Sequence, residues 1–148
     1  MGHQPVNFGK RIIPFLLVVM AVVSIWTSRS LASNTDKDAG IQDTILRQIE
    51  AFANNDPEQA WALASESIQR RFGSSEVFLD MVRLAYPAVH NATAIEFSDR
   101  VPHDGFQIQM VKLKGPEGER WDVYYRMVLT EDVWKIAGVR LQPAEPGI

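Results

Sequence analysis

The residues best suited to chemistry are a tyrosine and a histidine four positions apart, Tyr86 and His90, in the stretch AYPAVH. A phenol or an imidazole inside an apolar pocket can act as a general acid or base, because burial and neighbouring charges tune its pKa. Tyr124 and Arg126 are further candidates if their face of a predicted strand turns toward the same pocket. The competing interpretation is structural, with Tyr86-Pro87 as a rigid corner whose ring packs on the core.

Several other catalytic and metal-binding patterns are missing from the sequence. The chain has no cysteine, so disulfides, thiolate metal sites and a cysteine nucleophile are excluded. It also lacks a Gly-x-Ser-x-Gly elbow, a phosphate loop, a His-Glu-x-x-His pair and a dinucleotide fingerprint. Asp99, His103 and Asp104 are close together, but they fall in a predicted hairpin turn, where polar residues are common. We therefore predict no metal, no cofactor and no catalytic residue.

The amino-terminal segment, residues 1–32, is predicted to direct export. Two basic residues precede an uncharged apolar run at 12–26, and small residues follow up to a cleavage site after Ala32. The run is short for a bilayer-spanning helix, which needs about 20 residues, although residues 12–28 would form a thin span. Two outcomes stay open: a cleaved signal peptide, or an uncleaved anchor in the inner membrane. Either one makes the domain an exported protein, periplasmic or secreted.

The charge of the chain restricts its partners. The net charge is −3, and the export segment holds three basic residues and no acidic one, so the rest of the chain is more acidic still. Nucleic acids and anionic lipids are bound through basic patches, and no cluster of four basic residues occurs. We therefore predict no nucleic-acid partner, and contact with a membrane only through the amino-terminal segment if it is uncleaved.

The first half of the remaining sequence has helical periodicity. A polar stretch at residues 33–40 predicts a flexible leader. Apolar residues then recur every third or fourth position, which predicts a helix over about 41–54. Asp56 is a good N-cap for a second helix that ends at Gly73. A third helix follows and ends before Pro87, because the residue before a proline is pushed out of helical geometry.

After Asn91 the period changes to alternation, which predicts four strands in an antiparallel meander. The strands are separated by the turn sequences PHDG, GPEGE and TED. The second strand is uneven, because Ile108 and Met110 point one way whereas Val111 and Leu113 point the other. A bulge near Met110 would bring all four to the core face.

These elements predict an α+β fold in which three N-terminal helices pack on a curved four-stranded antiparallel sheet. The single domain is predicted to span residues 41–142, followed by a disordered tail at 143–148. A curved sheet wrapped round a helix forms a cone with an open end. This layout resembles the nuclear transport factor 2-like, or cystatin-like, fold.

The helical segment SIQRRFGSSEVFLDMVRLAYPAV, residues 67–89, resembles a bacterial family known as domain of unknown function 4864. The resemblance continues through a Gly-x-x-Gly turn at 115–118 and a Trp-x-Ile-x-Gly-x-x-Leu segment at 134–141, and covers about 41–141. It implies a small exported or membrane-tethered domain. It implies no activity and no catalytic residues.

Three functions are compatible with this sequence. The first is a non-enzymatic module that binds a small apolar ligand or a protein partner, and we predict this one, with Tyr86, His90, Tyr124 and Arg126 as ligand-binding candidates. The second is a small-molecule enzyme of the isomerase or dehydratase type that uses a pocket His, Asp or Tyr. The third is a homodimer that forms through the sheet face carrying Tyr124 and Val128.

Overall fold

The computed structural model describes residues 28–146. The chain divides into two compact units, residues 1–34 and 35–148. Of the first unit, only residues 28–34 are described, and they are helical. Most of the predicted export segment, residues 1–32, therefore lies outside the described residues. Within the described part of the chain, no helix is both long enough and apolar enough to cross a membrane.

Helices precede a four-stranded antiparallel sheet in the described residues. The helices are α1 (Ser28–Ala53), α2 (Pro57–Ala62), α3 (Glu66–Phe72), α4 (Ser75–Ala85) and α5 (Pro87–His90), and the strands are β1 (Ala94–His103), β2 (Phe106–Lys114), β3 (Arg120–Thr130) and β4 (Val133–Pro143). The strands lie side by side in chain order as a meander. The predicted α+β class and the four-stranded sheet are confirmed, whereas the prediction of three helices is wrong, since residues 28–146 contain five.

The predicted second helix is two helices because the backbone between them pairs with β4. Ala64 forms an isolated parallel bridge with Ile136. The N–H of Ser65 donates to the carbonyl of Ile136 at 2.8 Å, and the N–H of Ile136 donates to the carbonyl of Leu63 at 3.0 Å. These bonds interrupt the helical pattern, so α2 ends and Ser65 becomes the N-cap of α3 by accepting from the N–H of Ile68.

The proline at position 87 both ends one helix and begins another. It ends α4, as predicted, and it occupies the first position of the four-residue helix α5. Proline suits that position because its missing N–H would have no helical partner there. The carbonyl of Tyr86 accepts from the N–H groups of Val89 and His90, both at 3.0 Å. The Tyr86-Pro87 corner is therefore a hydrogen-bonded junction between two short helices.

Residues 33–40, predicted as a flexible leader, are part of α1. Two contacts with the sheet explain why the helix extends back beyond the apolar stripe. Asp38 forms an ion pair with Arg100 of β1. Gly40 lies against Trp134, where an added Cβ would meet the indole Cδ1 at 3.0 Å. Glycine at this position thus permits a close approach of α1 to β4.

The core lies between α1 and one face of the sheet. Burial of these apolar side chains is the main contribution to stability. The buried stripe of α1 matches the predicted one, and the buried positions of β3 alternate as predicted: Ile41, Ile45, Ile49 and Phe52 from the helix, and Val123, Tyr125 and Met127 from the strand.

The bulge predicted near Met110 is wrong. From residue 107 to 114, β2 pairs with β3 without a register shift. The irregularities lie instead in β1, between Phe97 and Arg100, and in the β3–β4 pairing at Arg126 and Met127. The second strand therefore keeps its alternation throughout.

A buried glutamine explains why that prediction failed. Gln109, and not its apolar neighbours, points to the core, where it is 2% exposed. Its Nε2 lies within hydrogen-bonding distance of the carbonyl oxygens of Ser98 at 3.1 Å, Asp99 at 3.4 Å and Met110 at 3.0 Å. The amide thus donates to carbonyls at the β1 bulge, and these hydrogen bonds offset the free-energy cost of burying a polar side chain. Ile108 and Met110 consequently lie on the outer face of the sheet.

The predicted tail, residues 143–148, begins within the sheet. β4 runs to Pro143, and the N–H of Ala144 donates to the carbonyl of Arg120 at 3.0 Å. Residues 147–148 lie outside the described part of the chain.

Candidate ligand pocket

A pocket of about 320 Å³ lies between the helices and β4. This volume is at the lower end of the range found for small-molecule sites. Its walls come from α1, α3, α4, the α4–α5 corner, α5 and β4, and the lining is mostly apolar. The lining side chains that define its shape are Phe52, Ile68, Phe72, Phe78, Met81 and Val139. Other depressions on the described surface are more open and are lined by more charged side chains, including one of about 570 Å³ at the end of the sheet.

The corner between α3 and α4 brings the aromatic side chains of the pocket together. Gly73 ends α3 with a φ of 77°, a left-handed conformation that glycine adopts without strain. Ser74 then caps α4 by accepting from the N–H of Val77 at 3.2 Å. This sharp corner lets Phe72 and Phe78 approach with ring centroids 5.8 Å apart and planes tilted by 52°, a favourable aromatic geometry.

Phe78 is the centre of the aromatic cluster. Its ring centroid lies 6.0 Å from that of Phe52 and 5.8 Å from that of Trp61, again with tilted planes. Phe78 and Phe52 are buried and line the pocket, and Trp61 packs against Phe78, so the cluster joins α1, α2 and α4. The helix stop at Gly73 and the cap at Ser74 thus place Phe72 next to Phe78, and Phe78 in turn contacts aromatic residues of α1 and α2.

The floor of the pocket is the stretch of β4 from Ile136 to Val139. Ile136 is held by its bridge to Ala64. The register with β3 shifts immediately afterwards, because Met127 pairs with Ile136 whereas Arg126 pairs with Gly138. Ala137 is the extra residue of this bulge, and its half-buried side chain lies at the pocket.

The polar groups of the lining are few. Gln48 is buried, and its Nε2 donates to the carbonyl of Ala60 at 3.0 Å. Arg71 is exposed, with its guanidinium carbon 5.6 Å from the centroid of the Phe72 ring. Tyr86 is half-buried. Among the described residues that line the pocket, none is acidic, so the arrangement can enclose an apolar molecule and offer one positive charge.

The structure places only one of the four predicted site residues in this pocket. That residue is Tyr86, which contributes to the lining of the pocket. His90 is buried at 6% exposure behind the wall. Its ring stacks on Phe52 at 6.4 Å, and its Nδ1 lies 3.1 Å from Oδ1 of Asn91. Within the described residues, its Nε2 has no hydrogen-bond partner.

Tyr124 and Arg126 lie on the opposite face of the sheet from the helices. Their neighbours along the strand, Val123, Tyr125 and Met127, are the buried ones. Both residues border a shallow depression together with residues of β2 and β4. The structure therefore does not bring Tyr124 and Arg126 together with Tyr86.

Sequence reasoning missed Arg71 as a pocket residue. The sequence suggests that Arg71 is a surface charge or a partner of Glu76 or Asp80, since those acids lie a few residues ahead on the next helix. In the structure, Asp80 pairs with Arg83 at 3.2 Å instead. One sequence signal could have identified Arg71 as a pocket residue. It lies in the last turn of a helix that stops at Gly73, so the chain turns there and places Arg71 beside the aromatic cluster.

Tyr125 is a second polar group that pattern reasoning assigned simply to the core. Its side chain is fully buried, and its hydroxyl has no hydrogen-bond partner among the described residues. Burial raises the pKa of the Tyr125 phenol far above its usual range. Tyr125 pairs across the sheet with Val139 of the pocket floor, and it stays neutral at physiological pH.

The described residues contain no group of three or more potential ligands that could hold a metal ion. Near the β1–β2 turn, His103 stacks on Phe106 with ring centroids 4.6 Å apart.

The order of helices and meander strands defines a class of α+β domain known from solved structures. The chain is similar to a crystal structure of an NTF-2 like protein of unknown function from Silicibacter pomeroyi DSS-3, with a TM-score of 0.51 and 16% sequence identity. The match covers 74% of this chain and 98% of that chain. At this identity the likeness shows the fold alone, which is nuclear transport factor 2-like.

The family follows from the sequence match. Residues 34–147 match the family model described as Domain of unknown function (DUF4864). The chain belongs to this family. A comparison with curated proteins finds no match.

Proposed function

We propose that the domain binds a small, mostly apolar molecule in the pocket between its helices and β4, without converting it chemically. The observation that carries this proposal is the apolar lining, which comes from helices on one side and β4 on the other and surrounds about 320 Å³. Pockets of this kind, concave and apolar with few polar groups, are typical of small-molecule sites.

The alternative of an isomerase or dehydratase has weaker support. General acid–base catalysis needs an ionisable side chain that reaches the substrate. Tyr86 and Arg71 are the ionisable residues of the described lining, and His90 lies behind Phe52. This favours binding over acid–base catalysis.

The finer geometry of the sheet is also a proposal. We infer that the sheet curves round the helices as a cone whose open end leads to the pocket. The two β-bulges support this shape, since bulges bend a strand and increase its twist.

A pocket-filling variant tests the binding function. Ala85 is exposed and borders the pocket, so Ala85→Trp is expected to occupy the volume while leaving the fold intact. Leu84→Trp is the matched control, because Leu84 is its neighbour on α4 and is 82% exposed. The chain, recovered from the exported fraction, is titrated with the neutral apolar fluorophore N-phenyl-1-naphthylamine. Binding lost in Ala85→Trp and kept in Leu84→Trp supports the proposal, and equal binding in both variants contradicts it.

Assembly through the sheet is a second candidate, supported by one observation. Ile108 and Met110 lie on the outer face near Tyr124, where they are half-buried, so this face is more apolar than the sequence pattern predicted. Sedimentation of the wild type and of Met110→Glu tests the idea, with Val77→Glu on α4 as a control. A dimer that dissociates only in Met110→Glu supports assembly, whereas a monomeric wild type excludes it.

We also propose that the chain is exported, and that it is either released or tethered to the inner membrane by residues 12–28. The basic residues and the apolar run described above support this. Fusion of residues 1–40 to alkaline phosphatase, an enzyme active only outside the cytoplasm, tests it. An active fusion is expected, and its mass distinguishes cleavage after Ala32 from an intact anchor. An inactive fusion contradicts export.

A further inference from the structure

We propose that the molecule held in this pocket is an amphipathic acid: an apolar body with one anionic group, such as a carboxylate, that pairs with Arg71 at the edge of the pocket. This inference rests on the proposed function, because it specifies the ligand of the same pocket.

The first argument is the charge of the lining. Arg71 carries the single formal charge among the described lining residues, and the others are apolar or neutral. An apolar ligand without a polar end would leave the guanidinium at the mouth with only water. A cationic ligand would be repelled by it. An anion on an apolar body is the chemistry that complements both parts of this lining.

The second argument is that nearby carboxylates are engaged elsewhere. Glu66 forms an ion pair with Arg70, and Asp80 pairs with Arg83. The hydroxyl of Ser75 lies 2.5 Å from a carboxylate oxygen of Glu58 and 3.1 Å from one of Glu76. No ion pair within the described residues includes Arg71.

The contrast with Arg70 is informative, because the two arginines are consecutive on α3. Arg70 points along the exposed side of the helix, where Glu66 one turn earlier is its partner. Arg71 points to the aromatic side instead, where its guanidinium lies over the ring of Phe72 at 5.6 Å. A guanidinium beside an aromatic ring keeps its N–H groups available to other partners. Arg71 can therefore donate hydrogen bonds to a carboxylate at the edge of the pocket.

The test uses three probes with the same eight-carbon body: octanoate, octanol and octylammonium. Each displaces N-phenyl-1-naphthylamine from the full chain, and displacement is measured for the wild type, Arg71→Gln and Arg70→Gln. Pairing with an exposed arginine predicts that octanoate displaces the fluorophore at concentrations about 2- to 5-fold below those needed for octanol. Octylammonium is expected to be the weakest of the three.

The two variants show which arginine causes the preference for octanoate over octanol. Arg71→Gln is expected to abolish the advantage of octanoate over octanol, which is measured as a ratio within each variant, so that any change in the affinity for the fluorophore cancels. Arg70→Gln is expected to keep the full advantage. Unchanged urea midpoints for both variants show that the fold is retained.

The outcomes separate the two proposals. If the fluorophore does not bind, or binds outside the pocket as judged by Ala85→Trp, the proposed function fails. If the fluorophore binds in the pocket but octanoate and octanol displace it equally, binding stands and the anionic ligand is wrong. An octanoate preference that survives in Arg71→Gln also overturns the assignment.

Discussion

The two faces of the sheet use the same residue types in different surroundings. On the pocket side, Arg71 lies 5.6 Å from the ring of Phe72. On the outer side, Arg126 lies 4.4 Å from the ring of Phe106, and Arg140 lies 5.9 Å from the ring of Tyr124. By composition alone, the outer face is at least as good a candidate for binding.

The difference between the faces is depth. The outer residues border a shallow depression on one layer of strands. The pocket side is closed by helices, and its lining includes Phe52 and Ile136, which are 2% and 1% exposed. Water is removed from a ligand only where walls meet on several sides, and removal of water makes both apolar and charged contacts worth more. The pocket can therefore surround the apolar part of a ligand, whereas Arg71 at its edge is exposed to solvent.

The largest contrast between the faces is expected for two adjacent tyrosines of β3. Tyr125→Ala removes a fully buried side chain and is expected to lower the free energy of unfolding by about 3–5 kcal/mol. Tyr124→Ala, on the half-buried outer side, is expected to cost about 1 kcal/mol. Urea denaturation of both variants measures the difference. Equal losses would show that the outer face is buried in solution, for instance by a second copy of the chain.

A smaller contrast is expected on β2. Gln109→Leu leaves the carbonyls of Ser98 and Asp99 without the donor that the buried amide provides, at a cost of about 1–3 kcal/mol. Met110→Leu, one residue along on the outer face, is the control and is expected to change stability by less than about 0.5 kcal/mol. Chemical denaturation compares the two variants. A neutral or stabilising Gln109→Leu would mean that the bulge carbonyls find other donors.

The smallest effect is a decrease in the free energy of unfolding at high pH, caused by Tyr125 on the inner face of the sheet. The folded-state pKa of Tyr125 is raised by burial, so the unfolded chain releases the phenolic proton first as the pH rises. This contribution to stability is therefore constant below about pH 10 and falls above it, by at most about 1.4 kcal/mol per pH unit. Urea titrations at about pH 9 and about pH 11, compared with Tyr125→Phe, isolate it. The same pH dependence in both proteins would contradict the burial of the hydroxyl.

Much of the fold could be predicted because it depends on local signals. The apolar stripe of α1 is a matter of helical spacing, and its burial is confirmed at Ile41 and Phe52. Asp56 caps α2 by accepting from the N–H of Gln59 at 3.1 Å, as predicted. Gly73 ends a helix, as predicted, and the structure shows it in the left-handed conformation. Each of these features involves residues within one turn of one another.

Two of the wrong predictions depend on contacts that are distant in sequence. The break between α2 and α3 is caused by the pairing of Ala64 with Ile136, 72 positions further along. The regular path of β2 depends on a glutamine that satisfies carbonyls of the preceding strand. No local propensity reports either contact. Arg71 was not predicted as a pocket residue for the same reason, because the pocket around it is formed by α4 and β4 as well as by its own helix.

The bridge between Ala64 and Ile136 also bears on how a ligand enters. The two hydrogen bonds of this bridge fasten the start of α3 to the floor of the pocket. The wall that carries Arg71 is therefore joined to the floor, at its beginning, by backbone hydrogen bonds as well as by side-chain packing. The opposite wall, formed by α4 and the Tyr86-Pro87 corner, is joined to the sheet through side-chain packing. For the proposed ligand, this difference favours entry by movement at the Tyr86-Pro87 corner rather than at the start of α3.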